Sequence, residues 1–385
     1  MKKIFYLSFI FATSLFITSC DKDDDHDHDH DHNNNIVVAP DTYSFERGGV
    51  STVSYSGQTC RLQMAKDIYD ALNSSGEYTA DQVLEMFNDG TGFSYAYECG
   101  KNVGGKTAAS PSASVTVKPM FDEMIAEYFE TVESNFTNTA SLGVPGQITT
   151  SSGSTYQVNG LGLEIDQAFI KGLMGAMVVD QMTNNYLTAS KLDGDGNTND
   201  AAGLAAGEYT SMEHYWDEGY GYLYGYNNMH IGGTDDNSTG IAVGNGVLLN
   251  KYLKKINDSN EPGIANVIYD AFKLGRAAIV AGDYIIRDEQ AQIVSENVHK
   301  LIAYKAVDYL RGGAETISSG APAEDAFHGL SEGYGFVLSL QFTTYFSNSE
   351  VNGMLDAMMS GDGFWDITAD ELNSMADQIE TAAGI

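Results

Sequence analysis

Apolar residues recur every three to four positions through most of the chain beyond residue 55, a period that predicts α-helices. Leu62, Ala65, Ile68, Tyr69 and Leu72 share one helical face, and Thr79-x-x-Gln82 is a capping box ahead of Val83, Leu84 and Phe87. Pro119 stands where a helix starts, followed at helical spacing by Met120, Phe121, Met124, Ile125, Tyr128, Phe129 and Val132. The same period covers 163–187, 210–224, 247–256, 264–281, 284–310, 323–340 and 369–382, with further capping boxes at Thr210-x-x-Glu213 and Thr368-x-x-Glu371. The stretch 144–158, rich in Gly, Ser and Thr, predicts a small hairpin or an open loop. The expected fold is all-α: one helical bundle over residues 41–385.

Within it a pattern repeats. His214-Tyr-Trp-Asp-Glu218-Gly219-Tyr220-Gly221-Tyr222 returns as His328-Gly-Leu-Ser-Glu332-Gly333-Tyr334-Gly335-Phe336. The helices upstream align without a gap, pairing Gln167 with Gln290, Ala168 with Ala291, Ile170 with Ile293, Tyr186 with Tyr309 and Leu187 with Leu310. These matches predict a duplication, about residues 160–226 and 283–345, packed around a pseudo-twofold axis.

The front of the chain is different in kind. Lys2 and Lys3 precede an apolar run from Ile4 to Ile17 and then Thr18-Ser19-Cys20, the order of a secretory signal, too short to span a membrane. Ile17-Thr18-Ser19-Cys20 resembles a bacterial lipobox, which implies cleavage after residue 19 and lipidation of Cys20. The acidic cluster Asp21 to Asp25 resembles the signal that sends Bacteroidota lipoproteins to the outer face of the outer membrane. The next segment alternates His26, His28, His30 and His32 with aspartates, so residues 20–40 read as a flexible tether that is also a good chelator of zinc, copper or nickel. With Cys20 lipidated, Cys60 and Cys99 remain, and one disulfide or two free thiols both fit. Composition then removes one class of partner. The 385 residues include 53 Asp and Glu against 20 Lys and Arg, a net charge of −33, and such a chain repels nucleic acid.

Candidate chemistry centres on the repeated motif. A His and a Glu four residues apart stand on one helical face, so His214 with Glu218 and His328 with Glu332 could converge on a zinc or iron ion. The same spacing also serves packing, with each pair bonded locally and the glycines letting two helices approach. Asp193, Asp195, Asn197 and Asn199 place oxygen ligands at alternate positions, as in the first half of a calcium loop, although Thr198 and Leu204 replace the Gly and Glu of an EF-hand. His299, among Val298, Ile302 and Ala303, reads as a structural histidine, and His230 could join the first motif. No H-E-x-x-H helix, nucleophile elbow or phosphate-binding glycine loop occurs.

At the motif the chain resembles the imelysin-like, iron-regulated helical proteins, whose G-x-H-x-x-E signature maps onto Met212, His214 and Asp217, with Ala326 and Ser331 in the second copy. The lipobox, Tyr43-Ser-Phe, Ser54-Tyr-Ser-Gly-Gln-Thr59 and the H-x-x-x-E-G-Y-G repeat are more similar still to an uncharacterised lipoprotein family of Bacteroidota. The resemblance implies a lipid-anchored surface protein of the outer membrane that binds iron, haem or another transition metal and hands it to an outer-membrane transporter. The alternatives are a non-enzymatic structural or interaction lipoprotein, and an exported metal-dependent hydrolase.

Overall fold

The computed structural model describes residues 36–194, 198–226 and 247–385, of which Val37–Ile385 form one unit. The described residues contain twelve α-helices: α1 (Ser56–Ala71), α2 (Ala80–Asn88), α3 (Val117–Glu127), α4 (Ile165–Leu173), α5 (Ala189–Leu192), α6 (Ser211–Tyr224), α7 (Leu249–Asp258), α8 (Ile264–Ala281), α9 (Tyr284–Ser318), α10 (Glu324–Ser339), α11 (Asn348–Met358) and α12 (Ala369–Ala383). Two antiparallel ribbons complete the inventory: β1 (Glu46–Arg47) with β2 (Val50–Ser51), and β3 (Gly146–Thr149) with β4 (Thr155–Val158). The second ribbon resolves the 144–158 stretch as a hairpin. All three predicted capping boxes form, at Thr79, Thr210 and Thr368, and a fourth at Ser347 opens α11.

The core is built around one rod. Beyond Leu173 the chain of α4 continues through two π-helical segments, Met174–Val179 and Met182–Tyr186, without leaving the helix. Residues 162–182 are buried without a break, so this rod is covered on every side. The first wide turn has a chemical cause. The Ser339 hydroxyl of α10 donates to the Lys171 carbonyl at 2.8 Å and accepts the Gly175 N–H at 3.0 Å. Those two backbone groups would bond each other in an ordinary α-helix, so the hydroxyl is inserted into the ladder and the turn widens around it. The loop at 108–110 takes up what remains: Ala108 N–H donates to the Ala176 carbonyl at 2.6 Å, and Ala109 and Ser110 N–H groups each reach buried Asp180 at 3.1 Å.

Insertion of Ser339 requires α10 to cross the rod closely, and small residues allow it. A methyl group on Gly335 would stand 2.5 Å from Lys171 Cβ and 2.8 Å from both the Ala168 carbonyl oxygen and the Gly172 nitrogen. On its other side α10 packs against α9, a helix of 35 residues and about 50 Å flanked by α8 and α12. Helix α9 runs past Leu310 to Ser318 through Gly312 and Gly313, because Gly313 lies against Leu330 of α10. Helices α1 and α3 also pack on the rod, with α2 packed on both, and α6 lies against α1, α8 and the rod's last turns.

The segment ahead of α1 is fastened by a buried ion network. Arg276 of α8, fully buried, donates to Glu213 and Asp217 of α6 at 3.0 Å each and to Thr52 Oγ1 at 3.2 Å. Asp217 also accepts from the Tyr43 hydroxyl at 2.6 Å and the Ser54 N–H at 3.1 Å, and Arg47 reaches Glu213 at 3.2 Å. Each charge therefore meets an opposite charge and further donors, the condition under which burying it is tolerable. Cys60 of α1 and Cys99 are joined by a disulfide.

The crossing of α10 over the rod predicts a contrast between two glycines. Gly335→Ala is expected to lower stability by about 1–3 kcal/mol in urea denaturation followed by circular dichroism, because its new methyl group meets backbone. Gly312→Ala, whose methyl group meets nothing within 4 Å, should be neutral or slightly stabilising.

Candidate functional site

The two copies of the motif lie on α6 and α10, and each histidine stacks on a tyrosine from outside its own helix. His214 lies 4.6 Å from Tyr209, and His328 lies 4.4 Å from Tyr156 of β4. The glycines that follow meet matching neighbours: Gly219 faces Tyr186 and Leu187, and Gly333 faces Tyr309 and Leu310. The glutamates differ in their partners. Glu218 accepts from Gln58 at 2.9 Å and from the Tyr186 hydroxyl at 3.2 Å, whereas Glu332 pairs with Lys171 at 2.9 Å and accepts from the Tyr252 hydroxyl at 3.0 Å.

The histidines differ more. His214 Nε2 is 4.0 Å from Glu218, and its buried Nδ1 has no hydrogen-bond partner. His328 turns away from Glu332, its Nδ1 standing 3.1 Å from both carboxylate oxygens of Glu164 at the N-cap of α4. The four motif side chains thus do not converge: His214 stays beside Glu218, while Glu332 pairs with Lys171 and His328 with Glu164. Among the described residues no three His, Cys, Asp or Glu side chains form a group able to hold a metal ion.

The Glu164–His328 pair borders a half-enclosed cavity of about 470 Å³, framed by the ends of α1 and α3, the β3–β4 hairpin, the head of α4 and α10. Tyr69, Tyr128, Phe136 and Tyr156 supply aromatic walls, and Asn73, Gln147, Gln157, Glu164, Asp166, Gln167 and His328 supply planar polar groups. Buried Asp166 accepts from Asn73 at 3.0 Å and Gln167 at 2.8 Å, and Gln167 also donates to the Tyr69 hydroxyl at 2.8 Å. Gln157 Oε1 is buried with no partner, an acceptor left unused on the cavity wall. Lys171 joins the cavity to the motif, bonding Gln167 on one side and Glu332 on the other.

Burial and pairing set the proton affinities. Burial pushes Glu164 up to about 7 despite its bond to His328, and raises Asp166 as well. Burial alone would lower His328, but the Glu164 contact outweighs it and raises it. Burial also works against ionisation of Glu332, yet Lys171 and Tyr309 overcome it and hold it at about 2. The cavity therefore has the Lys171–Glu332 ion pair behind it and the Glu164–His328 pair at its edge.

The remaining sequence candidates have structural partners. Asp217 is fully buried and held by Arg276 and Tyr43. Asp193 pairs with Arg287 at 2.6 Å, while Asn199 donates to the Ile279 carbonyl and accepts from Thr210 at 3.1 Å. Asp195 and Asn197 lie outside the described residues, as do His230, Cys20 and the tether histidines His26, His28, His30 and His32. His299 is buried against Thr183 at 3.0 Å, and burial pushes it down to about 4, which keeps it neutral as a structural histidine. Sequence reasoning passed over Glu164, Asp166, Gln167 and Lys171. Their signal was present: polar residues in a helix that is otherwise apolar on all faces have to answer to something inside the protein.

Fold and site together define an all-α domain with a polar internal cavity beside a buried ion pair. Residues 40–385 match the model of a domain of unknown function, DUF4856, and the chain belongs to that family. No curated protein and no solved structure matches it.

The raised Glu164 and His328 have one sign in common. Both bind protons more tightly in the native state than when unfolded, so their contribution to stability is present at low pH. That of Glu164 is lost as pH rises from 4.5 through about 7, and that of His328 as pH rises through its elevated value. Glu164→Gln is expected to flatten the wild-type decline in urea stability between about pH 5 and about pH 8 by roughly 1–3 kcal/mol. An unchanged slope would refute this assignment of the pair.

Proposed function

We propose that the protein is an outer-membrane lipoprotein of the cell surface that binds a small polar ligand in the cavity at Glu164 and His328. One observation carries the reading: a half-enclosed space of about 470 Å³ presents aromatic faces together with planar hydrogen-bonding groups, one of them the unused acceptor Gln157 Oε1. Such a lining suits a ligand with several hydroxyl or amino groups, whose C–H faces stack on rings while its polar edges meet amides and carboxylates. Binding is favoured over catalysis because the cavity carboxylates are already committed to protein donors. Lipid anchoring rests on the lipobox at Cys20, and the Cys60–Cys99 disulfide supports export to an oxidising compartment. Among the described residues no helix is long and apolar enough to cross a membrane. Delivery to an outer-membrane transporter would complete an uptake role.

The second reading keeps the ligand a transition metal, iron included, free or as a complex. It is favoured by His328 Nδ1 and Glu164, which meet at 3.1 Å on the cavity edge. An ion arriving there would take the place of their shared proton, with the ligand or solvent filling the other positions. Haem draws less support, since Leu72 is the cavity's one aliphatic wall. The duplication is part of the proposal too. Its support is the paired seating of Gly219 and Gly333 on Tyr-Leu dipeptides, and of each histidine on a tyrosine.

Thermal unfolding with a panel of monosaccharides, amino acids and Zn²⁺ tests both readings. An organic probe at about 100 times its Kd should stabilise the wild type by roughly 2.7 kcal/mol, seen as a rise of a few degrees that Asp166→Asn abolishes. A rise with Zn²⁺ alone, lost in His328→Ala, would select the metal reading. No shift with any probe would reject both.

A further inference from the structure

The cavity at Glu164 and His328 has more acid than base in its wall. Among the described residues its lining holds two carboxylates, Glu164 and Asp166, and one basic side chain, His328, with no Lys or Arg. His328 is answered by Glu164 at 3.1 Å. Asp166, 6% exposed, forms no ion pair among the described residues, and its Oδ2 accepts from the neutral amides of Asn73 and Gln167. Lys171 acts on it from beyond the wall, but that ammonium is bonded to Glu332 at 2.9 Å and to Gln167. Burial outweighs the amide bonds and Lys171 together and raises the proton affinity of Asp166.

The same negative field reaches the aromatic walls. Burial first, then Asp166 with Glu164 and Asp70 behind it, pushes the Tyr69 hydroxyl up to about 12 against the effect of its Gln167 bond. Burial, Asp166 and Glu133 raise Tyr128 in the same direction. Tyr69 is already a seat for positive charge, its ring centre lying 5.8 Å from Lys66 Nζ and 5.7 Å from Lys171 Nζ. The buried polar atom left without a partner in this lining, Gln157 Oε1, is an acceptor, so what it lacks is a donor.

We propose that the ligand of this cavity is an organic cation carrying a protonated amine, its ammonium beside Asp166 and its carbon skeleton against Tyr128, Phe136 and Tyr156. The inference rests on the reading of the cavity as a binding site and narrows its ligand class. An ammonium brings donors alone, and the wall meets it with carboxylates, an amide oxygen and ring faces, each of which accepts or attracts it. A neutral polyol of the same size would leave buried Asp166 without an opposite charge. An anionic ligand would be repelled by Glu164 and Asp166. A bare metal ion calls for several carboxylate or imidazole ligands, and among the described residues no three gather, whereas one carboxylate suffices for an ammonium.

The test compares probes of one shape that differ in charge, D-glucosamine with D-glucose and 1,5-diaminopentane with 1,5-pentanediol. Each is titrated calorimetrically into the full-length protein near neutral pH at about 0.15 M salt, where the field of the surface charges is screened. The ammonium member of at least one pair is expected to bind at least about tenfold more tightly than its neutral partner. Asp166→Asn should remove that preference, and Asp258→Asn, at an exposed carboxylate outside the cavity lining, should keep it. Circular dichroism verifies each fold; should Asp166→Asn fail to fold, the preference is read in Glu164→Gln, where it should shrink as well. Equal affinity within both pairs, or tighter binding of the neutral members, overturns the inference and leaves the cavity reading standing. A preference that survives loss of the Asp166 charge overturns it too, because the amine is then recognised elsewhere. No binding of any of the four also overturns it, and the monosaccharide and amino-acid panel then decides the cavity reading by itself.

Discussion

The Ser339 hydroxyl, held between the Lys171 carbonyl and the Gly175 N–H, fixes the register of α10 on the central rod. Everything at the candidate site follows from that register. Lys171 lies at the wedge, so its ammonium is delivered to Glu332 one way and Gln167 the other. His328, further back along α10, is brought opposite Glu164 at the head of α4. A helix crossing with side chains in place of Gly335 and Gly172 would hold the two axes further apart and separate both pairs. The wide π turn is thus the local cost of placing two charged pairs inside a core.

Charge is distributed by purpose. Among the described residues, two arginines hold elements together through ion pairs. Arg276 ties α8 to α6 and, through Asp217 and Tyr43, to the segment ahead of α1. Arg311 ties α9 to α12 through Asp377 and Glu380. Such pairs specify arrangement more than they add stability, because each has to recover the desolvation of both partners.

The repeated H-x-x-x-E-G-Y-G motif shows how one local sequence serves two environments. In both copies the glycine after the glutamate lets the helix rest against a Tyr-Leu pair, and the histidine stacks on an aromatic ring. What lies beyond that contact is set by different neighbours. Gly221 meets Tyr55 and Gln58 of the α1 region, so Glu218 receives a neutral amide. Gly335 meets the rod, so Glu332 receives an ammonium. Identical spacing along a helix fixes the direction in which a side chain leaves the axis, and the facing helix decides what it finds there.

Much of the fold was legible from period and punctuation. The helices at 163–187, 264–281 and 284–310, the capping boxes at Thr79, Thr210 and Thr368, and the hairpin among the options for 144–158 are local features, written in the spacing of apolar residues and in short-range hydrogen bonds. The helix at Asn348–Met358 was missed despite the Ser347 and Glu350 capping pair. His299 was read correctly as structural because its neighbours along the helix are apolar. The pairing of His328 with Glu164 across 164 positions was invisible, since i to i+4 spacing pointed to Glu332 and no local rule names a partner from another helix. Nor could the chain reveal that Asp217 belongs to Arg276, or that Ser339 opens a π turn in a helix far upstream. Periodicity decides which residues face inward; the tertiary structure alone decides which of them meet, because burial makes polar groups bond whatever the packing brings within reach.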